Sequence, residues 1–227
     1  PLFFYFMDQI VDWAEELEMY LLLDYHATSD QTFTDPNLED SLNKMWTQMA
    51  DHYKGRSNYI LYEIINEPHD ISDEKWNAIQ QNVLATIRSI DQKHTVIVTP
   101  AGWGSYNNLD EMPVLEDENI IYSFHFYDPF LFTHQGATWS NMGPLQGVPF
   151  PYAEDEMPEV PEELEDTWIA NSLRYSYKTD GTVAKVKELI DIAIQFRDER
   201  NVEIFCGEFG VYNRYADPED RVFWYGV

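Results

Sequence analysis

Short apolar runs alternate with longer amphipathic stretches along the chain, and no other pattern in it limits the possible folds as strongly. Five apolar runs are typical of buried strands: residues 19–24, 58–65, 95–99, 119–127 and 202–207. Between them, apolar residues recur at helical spacing over residues 8–18, 38–49, 76–90 and 183–194. Strands joined by helices in this order are expected to be parallel, because a helical crossover returns the chain to the same end of the sheet, and such crossovers are right-handed. The sequence therefore predicts an α/β fold.

Three local signals mark where helices should begin. Asp35-Pro36 and Asp217-Pro218 each place a capping carboxylate before a proline, which is favoured in the first helical turn. Ser72 precedes an amphipathic stretch and is expected to cap it. Trp76 shares the helical spacing of the apolar residues that follow it, so we assign it to packing.

Two glutamates stand at the C-terminal ends of predicted strands. Glu67 follows residues 58–65, and Glu208 follows residues 202–207. A single loop glutamate is usually a solvated surface residue. In an α/β barrel, however, functional residues stand at the C-terminal ends of the strands. Two carboxylates at strand ends are the equipment of a glycoside hydrolase, in which one donates a proton and the other acts as nucleophile or base.

Three motifs at strand ends resemble glycoside hydrolase family 5, the cellulase family of retaining (β/α)8 barrels. They are Asn66-Glu67-Pro68, His125-Phe126-Tyr127 and Gly207-Glu208-Phe209-Gly210, in the family's order. The resemblance covers nearly the whole chain and implies a single partial catalytic domain over residues 1–227. The barrel is expected to be incomplete, with about five strands that resemble strands 3 to 7 of eight. The family's first, second and eighth strands have no counterpart in the sequence.

The resemblance also implies the roles of individual residues. Glu67 corresponds to the acid/base and Glu208 to the nucleophile. A retaining mechanism places two such carboxyl groups about 5 Å apart. Four further residues resemble groups that bind the sugar or the nucleophile: His26, Asn66, His125 and Tyr127.

Two loops that leave strand ends carry aromatic residues. Trp103 lies between two glycines after residues 95–99, where its ring could stack on a sugar. Residues 128–180 have no continuous helix or strand pattern and should overhang the cleft. The aromatics that could line the cleft are Phe130, Phe132, Trp139, Phe150, Tyr152 and Trp168. We interpret the acidic residues 154–166 as solvated surface.

The charge of the chain restricts its partners. There are 41 acidic and 14 basic residues, for a formal charge of -27. This charge repels phosphate backbones and anionic membranes, so we expect neither nucleic acid nor membrane as a partner. A neutral β-glucan or related polysaccharide is compatible with it. Cys206 is the single cysteine, which rules out an intrachain disulfide. We expect no cofactor, no metal ion, and a monomer when the barrel is complete.

These observations predict retaining hydrolysis of β-glycosidic bonds, by an endo-β-1,4-glucanase. A β-mannanase or another β-glucanase of the same family is the first alternative. A non-catalytic carbohydrate-binding protein or an inactive fragment is the second. A metal-dependent hydrolase would need His-x-His at a strand end, whereas this chain has Asp24-x-His26 and His125-x-Tyr127. The resemblance suggests secretion, and we expect the natural N-terminus to lie upstream of Pro1.

Overall fold

The computed structural model describes residues 2–27 and 32–227. The chain divides into two compact units. The first comprises the residues up to Phe124 together with Phe196–Phe205, and the second comprises His125–Gln195 together with Cys206–Val227. The single domain over residues 1–227 therefore stays a prediction.

In the first unit, helices and strands alternate along the chain. In order they are α1 (Leu2–Glu16), β1 (Leu21–Asp24), α2 (Leu38–Tyr53), β2 (Ile60–Glu63), α3 (Asp73–Arg88), β3 (Val96–Val98), the single turn α4 (Ala101–Gly104) and a 3₁₀ helix, Tyr106–Glu111. Each predicted strand of this unit is present, but shorter than its apolar run. After β2 and β3 the apolar runs extend beyond the strands because Ile64, Ile65 and Thr99 are also buried, whereas Met19 and Tyr20 before β1 are exposed.

Two further strands, β4 (Ile120–Phe126) and β5 (Ile204–Phe209), join the same sheet. Its order is β1-β2-β3-β4-β5. The pairs β1 with β2, β2 with β3, and β3 with β4 are parallel. Strands that lie side by side in chain order, with helices between them, are the pattern of a (β/α)8 barrel. The predicted fold class, an incomplete barrel of about five strands, is confirmed.

The second unit contains mostly short helical turns before its long helix. Its α-helices are α5 (Phe130–Thr133), α6 (Trp168–Asn171), α7 (Tyr177–Asp180), α8 (Val183–Arg200), whose last turn lies in the first unit, and α9 (Pro218–Tyr225). Residues 128–180 thus lack long regular elements, as predicted. Phe132 and Phe150 are fully buried and lie 5.3 Å apart between ring centroids. The prediction that these two rings could line a cleft is wrong, because they form the core that supports this long segment.

Two buried tryptophans tie helices to the loops that follow strands in the first unit. Trp46 of α2 donates its indole N–H to Ile64 O (2.9 Å), and Trp76 of α3 donates to Thr99 O (2.8 Å). Buried carbonyl groups need donors, so each indole stabilises a strand end as well as filling the core. The assignment of Trp76 to packing is confirmed by its complete burial.

Two of the three predicted helix starts are confirmed. The Ser72 hydroxyl accepts from Lys75 N, and Asp217 Oδ1 accepts from Glu219 N. The third is wrong, because α2 begins at Leu38 with Asn37 in the capping position. Asp35 instead accepts the Asn37 N–H at 2.8 Å, a local turn that postpones the helix.

None of the helices in the described residues combines the length and the apolar character that a bilayer crossing requires.

Candidate active site

Glu67 lies in the loop after β2, with its backbone in the left-handed region. Its φ is 44°, and this region costs a non-glycine residue about 1–2 kcal/mol. Three hydrogen bonds hold the loop: Asn66 N to Tyr25 O (3.1 Å), Trp103 N to Pro68 O (3.1 Å), and His69 Nδ1 to Glu67 O (2.7 Å). These bonds hold the main chain that carries the Glu67 side chain.

Asn66 and His26 meet beside this loop. The Asn66 side chain donates from Nδ2 to His26 Nε2 over 3.4 Å. Because that ring nitrogen accepts, the other one carries the proton, and His26 Nδ1 donates to Asp24 Oδ2 at 3.2 Å. Asn66 is nearly buried, whereas His26 is exposed at the end of β1. The structure thus brings together two residues that the sequence predicted to bind sugar.

Trp103 projects from α4 on a backbone that is left-handed at three successive residues. Gly102, Trp103 and Gly104 have φ values of 70°, 66° and 67°. A Cβ atom at Gly102 would lie 2.7 Å from Asn108 Oδ1, so this position requires glycine. The Trp103 ring is 55% exposed and stacks on His69, with 3.4 Å between ring centroids and 5° between ring planes. An exposed indole braced in this way can serve as a platform for a sugar ring.

Glu208 lies within β5, whereas the sequence placed it just after the strand. The strand continues to Phe209, and Gly210 follows it. Tyr127 Oη donates to Glu208 Oε2 at 2.7 Å, and His125 Nδ1 lies 3.5 Å from the same oxygen. His125 is buried, and Glu208 is about one-third exposed. The second unit therefore holds one partly exposed carboxylate by its side chain, next to the two residues predicted to contact it.

His134 is a neighbour of this group that the sequence reasoning missed. Its ring stacks on Phe130, with centroids 3.9 Å apart, and lies edge-on to Tyr127 at 5.1 Å. Trp139 is exposed and lies 6.5 Å from His134 and 4.8 Å from Tyr212. The only signal in the sequence was the density of aromatic residues after Asp128, which does not indicate which rings meet.

The structure groups the predicted site residues within each unit. The first unit holds His26 with Asn66, and Glu67 with Trp103 through their shared loop contacts. The second unit holds the remaining three: His125, Tyr127 and Glu208. Taken separately, neither unit brings three histidine, cysteine or carboxylate ligand atoms to metal-binding distance among its described residues. The chemical roles of these residues stay predictions.

Cys206 lies on β5, two residues before Glu208. Its thiol donates to Glu208 O at 3.5 Å, and burial raises its pKa to about 11. A thiol with this pKa stays protonated near neutral pH, so Cys206 is not equipped to act as a nucleophile.

Comparison with known proteins gives one family over almost the entire chain. Residues 4–226 match the family described as Cellulase (glycosyl hydrolase family 5). Endoglucanase 3 of Fibrobacter succinogenes is 30% identical over 96% of this chain and 35% of its own length. Endoglucanase C of Acetivibrio thermocellus is 30% identical over 97% of this chain and 66% of its own length.

The fold has close counterparts among solved structures. Cel5A of Thermotoga maritima, solved with cellobiose, superposes with a TM-score of 0.80 at 28% identity, over 99% of this chain and 65% of that one. The same enzyme solved with mannotriose has the same TM-score and coverage. The chain thus spans about a third of the first relative and about two thirds of the others.

Proposed function

This chain belongs to the cellulase family, glycosyl hydrolase family 5, and on that premise we propose that it carries the two catalytic glutamates of a retaining endo-β-1,4-glucanase. The observation that carries the proposal is the pair of side chains that contact the Glu208 carboxylate in the second unit. Tyr127 donates to its Oε2 and His125 lies beside the same oxygen. Two fixed partners on one oxygen orient a carboxylate, which is what a nucleophile needs to attack along one direction.

The proposed reaction has two steps. In the first, Glu67 donates a proton to the glycosidic oxygen as that oxygen leaves, and a Glu208 oxygen attacks the anomeric carbon to form a covalent glycosyl-enzyme. In the second, Glu67 takes a proton from water, which attacks the same carbon and releases Glu208. Asn66 and His26 are proposed to bind the sugar hydroxyl groups. Trp103 is proposed to stack on a sugar ring.

Product analysis on a panel of polysaccharides tests this function. The full-length protein is incubated with β-1,4-glucan, mixed-linkage glucan, xyloglucan and mannan, and reducing ends and product lengths are measured. We expect internal cleavage of β-1,4-glucan, seen as a fall in viscosity that precedes the release of short sugars. The first product should keep the β configuration in proton NMR. Activity no higher than that of Glu208→Gln on every polysaccharide would sink the proposal.

Hydrolysis of β-mannan or another β-glucan is the second candidate. The T. maritima enzyme was solved with mannotriose as well as with cellobiose, which supports keeping this substrate class open. The ratio of kcat/KM values on glucan and mannan decides between the two, since specificity is a ratio of these constants.

Two functions of other classes are outcomes of the same assay. A non-catalytic binding protein would retain polysaccharide on a column without releasing product. A metal-dependent hydrolase would lose its activity in a chelator. The proposed mechanism uses only protein carboxylates, so we expect full activity with the chelator present.

We also propose that the complete protein works outside the cell as a monomer. Its polymeric substrate is too large to cross a membrane, and the formal charge of -27 on these 227 residues favours solubility and mutual repulsion. Sedimentation of the full-length protein measures the association state.

A further inference from the structure

His69 lies two residues after Glu67 and has no part in the mechanism above. It is 8% exposed, and its Nε2 atom is buried without a hydrogen-bond partner among the described residues. The carboxylate of Asp70 lies 4.0 Å from that nitrogen, beyond hydrogen-bond distance. A side chain so enclosed cannot reach a substrate, so any contribution it makes must act through its neighbours.

The first of these neighbours is the main chain of Glu67. His69 Nδ1 lies 2.7 Å from Glu67 O, and because a carbonyl oxygen only accepts, the nitrogen must donate. This bond closes the loop in which Glu67 has a φ of 44° and Asp70 a φ of 53°. Left-handed residues persist only where the surroundings hold them. The histidine N–H is therefore one of the groups that fix the direction of the Glu67 side chain.

The second neighbour is the Trp103 ring. The imidazole lies parallel to the indole at 3.4 Å, and Phe33 packs against the imidazole from another direction at 4.5 Å. Trp103 N also donates to Pro68 O, so the two loops are joined by a main-chain hydrogen bond as well as by the stack. One face of the indole rests on His69 and about half of its surface is exposed, so the imidazole is the ring that supports it from the protein side.

We propose that His69 is a positioning residue that couples the proton donor Glu67 to the sugar platform Trp103. The inference rests on the proposed function for the roles of those two residues. The His69 N–H holds the acid/base in line with the leaving oxygen. The His69 ring holds the Trp103 ring in the position where it can stack on a sugar. The two functions use different atoms of one side chain, so substitutions can separate them.

His69→Phe keeps a ring for the stack and removes the donor. We expect kcat on glucan to fall roughly ten- to a hundredfold, because a misplaced general acid loses part of its 10²–10⁴-fold contribution. On aryl glycosides with good leaving groups the loss should be about threefold or less, since protonation of the leaving oxygen matters little there. KM should stay unchanged.

His69→Asn keeps a donor near the position of Nδ1 and removes the ring. We expect KM to rise roughly five- to tenfold, the effect of losing an aromatic pair. The kcat on both substrate types should stay within about threefold of the wild type. His69→Gln places its amide too far along the side chain for this bond and has no ring, so it should show both defects. If His69→Phe does not fold, the comparison of Asn with Gln still isolates the hydrogen bond.

A matched control is the histidine of α2. His52 also stacks on an aromatic ring, Phe4, at 4.0 Å, and it pairs with Asp8 and packs edge-on to Tyr53, none of which is a residue of the proposed site. Phe and Asn substitutions at His52 should leave kcat and KM unchanged. If all His69 variants lose activity equally on both substrates with KM constant, or lose none, the coupling is refuted.

Tryptophan fluorescence tests the stack without relying on catalysis. The difference in emission between a protein and its Trp103→Phe variant isolates Trp103. In the His69→Asn background the Trp103 emission obtained in this way should shift to the red, and acrylamide should quench it more strongly. In the His69→Phe background neither change should occur. An unchanged difference in His69→Asn overturns the inference. If Glu67→Gln retains full activity, by contrast, the proposed function fails, whatever the fluorescence shows.

Discussion

Glu67 and Glu208 each have contacts that bear on the role proposed for them. The main chain of Glu67 is held with a left-handed φ and receives the bond from His69. Glu208 is held by its side chain, with Tyr127 and His125 on Oε2. A proton donor has to gain and lose a proton in each cycle, whereas a nucleophile has to present one oxygen in one direction. The two contacts on Glu208 Oε2 suit the proposed nucleophile, and the main-chain bond from His69 keeps the proposed proton donor in place.

The first prediction separates these roles by the leaving group of the substrate. In the full-length protein, Glu208→Ala should abolish turnover on all substrates, because no covalent intermediate can form. Glu67→Ala should lose about 10²–10⁴-fold on glucan and much less on activated aryl glycosides. Azide should restore its second step and yield a glycosyl azide, detectable by mass spectrometry.

Glu118→Ala, at an exposed glutamate just before β4, serves as the control and should be fully active. The roles are wrongly assigned if Glu208→Ala is active. They are also wrongly assigned if Glu67→Ala loses activity equally on glucan and on aryl glycosides and forms no glycosyl azide.

The second prediction concerns His26. Its contacts are with Asn66 and Asp24 and leave most of the ring exposed, as suits a group that binds a sugar hydroxyl. Loss of one such hydrogen bond is worth about 0.5–1.5 kcal/mol, or roughly two- to tenfold. We expect His26→Ala to raise KM by that factor, measured on soluble glucan. A loss as large as that of Glu208→Ala would place His26 in the chemistry instead.

Among individual residues, the sequence predicted that His125 and Tyr127 lie beside Glu208, and the structure shows these contacts. It did not predict the contacts of His69 and His134. Strand ends can be read from a local pattern, and Glu67, His125 and Glu208 all lie at or near one. The stack of His69 on Trp103 joins loops that follow different strands. Such contacts depend on how tertiary structure places two loops, for which no local pattern exists.

Among elements, strand identity was predicted and boundaries were not. β5 extends past Gly207 to Phe209, although glycine is disfavoured in strands. α2 starts at Leu38 rather than at Pro36, because Asp35 bonds to the main chain of Asn37 in a turn. In both places a hydrogen bond or a neighbouring strand outweighs the preference of a single residue.

The loop from α3 to β3 carries a buried polar network at the N-terminal end of the strand. Asp91 Oδ2 accepts from Tyr62 Oη at 2.8 Å and lies 2.5 Å from His94 Nδ1. Desolvation by burial raises the pKa of Asp91. Hydrogen bonds from the Lys93 main chain, from the ring and main chain of His94, and from the Tyr62 hydroxyl outweigh this effect, so the pKa is lowered overall. This end of a barrel strand usually serves stability rather than catalysis.

The third prediction follows from that lowered pKa. A carboxyl group whose pKa is depressed by folding stabilises the protein above its unfolded pKa of about 3.9, and this contribution is lost as the pH falls through the folded value. Asp91→Asn should therefore cost about 1–3 kcal/mol of unfolding free energy at pH 7. The difference from the wild type should shrink below about pH 4.

Urea unfolding of the full-length protein across pH 3–7 measures this difference. Because no residue of the network is proposed to take part in the reaction, kcat should be unaffected at temperatures where both proteins are folded. A variant with a constant deficit at every pH would show that the carboxylate charge is not the source of the stability.

At the scale of the whole molecule, the sheet described here has two edge strands, β1 and β5. Exposed strand edges pair readily with other chains, and closed barrels avoid them. Apolar side chains are also exposed near both edges: Phe3, Phe6 and Trp13 on α1, and Phe205 and Phe209 on β5. The structural relatives continue for about another third of their length beyond what this chain matches.

The fourth prediction is that the 227-residue chain alone will aggregate or unfold without cooperativity, because five strands cannot close a barrel and these apolar surfaces stay uncovered. The charge of -27 opposes association, but salt screens it over about 10 Å at 0.1 M. Aggregation should therefore increase with ionic strength, as measured by light scattering, whereas the full-length protein should stay monomeric in the same buffers. A sharp two-state melt of a soluble monomer of the 227-residue chain would contradict the prediction, and it would mean that the charged surface and the buried cores of the two units are enough for folding.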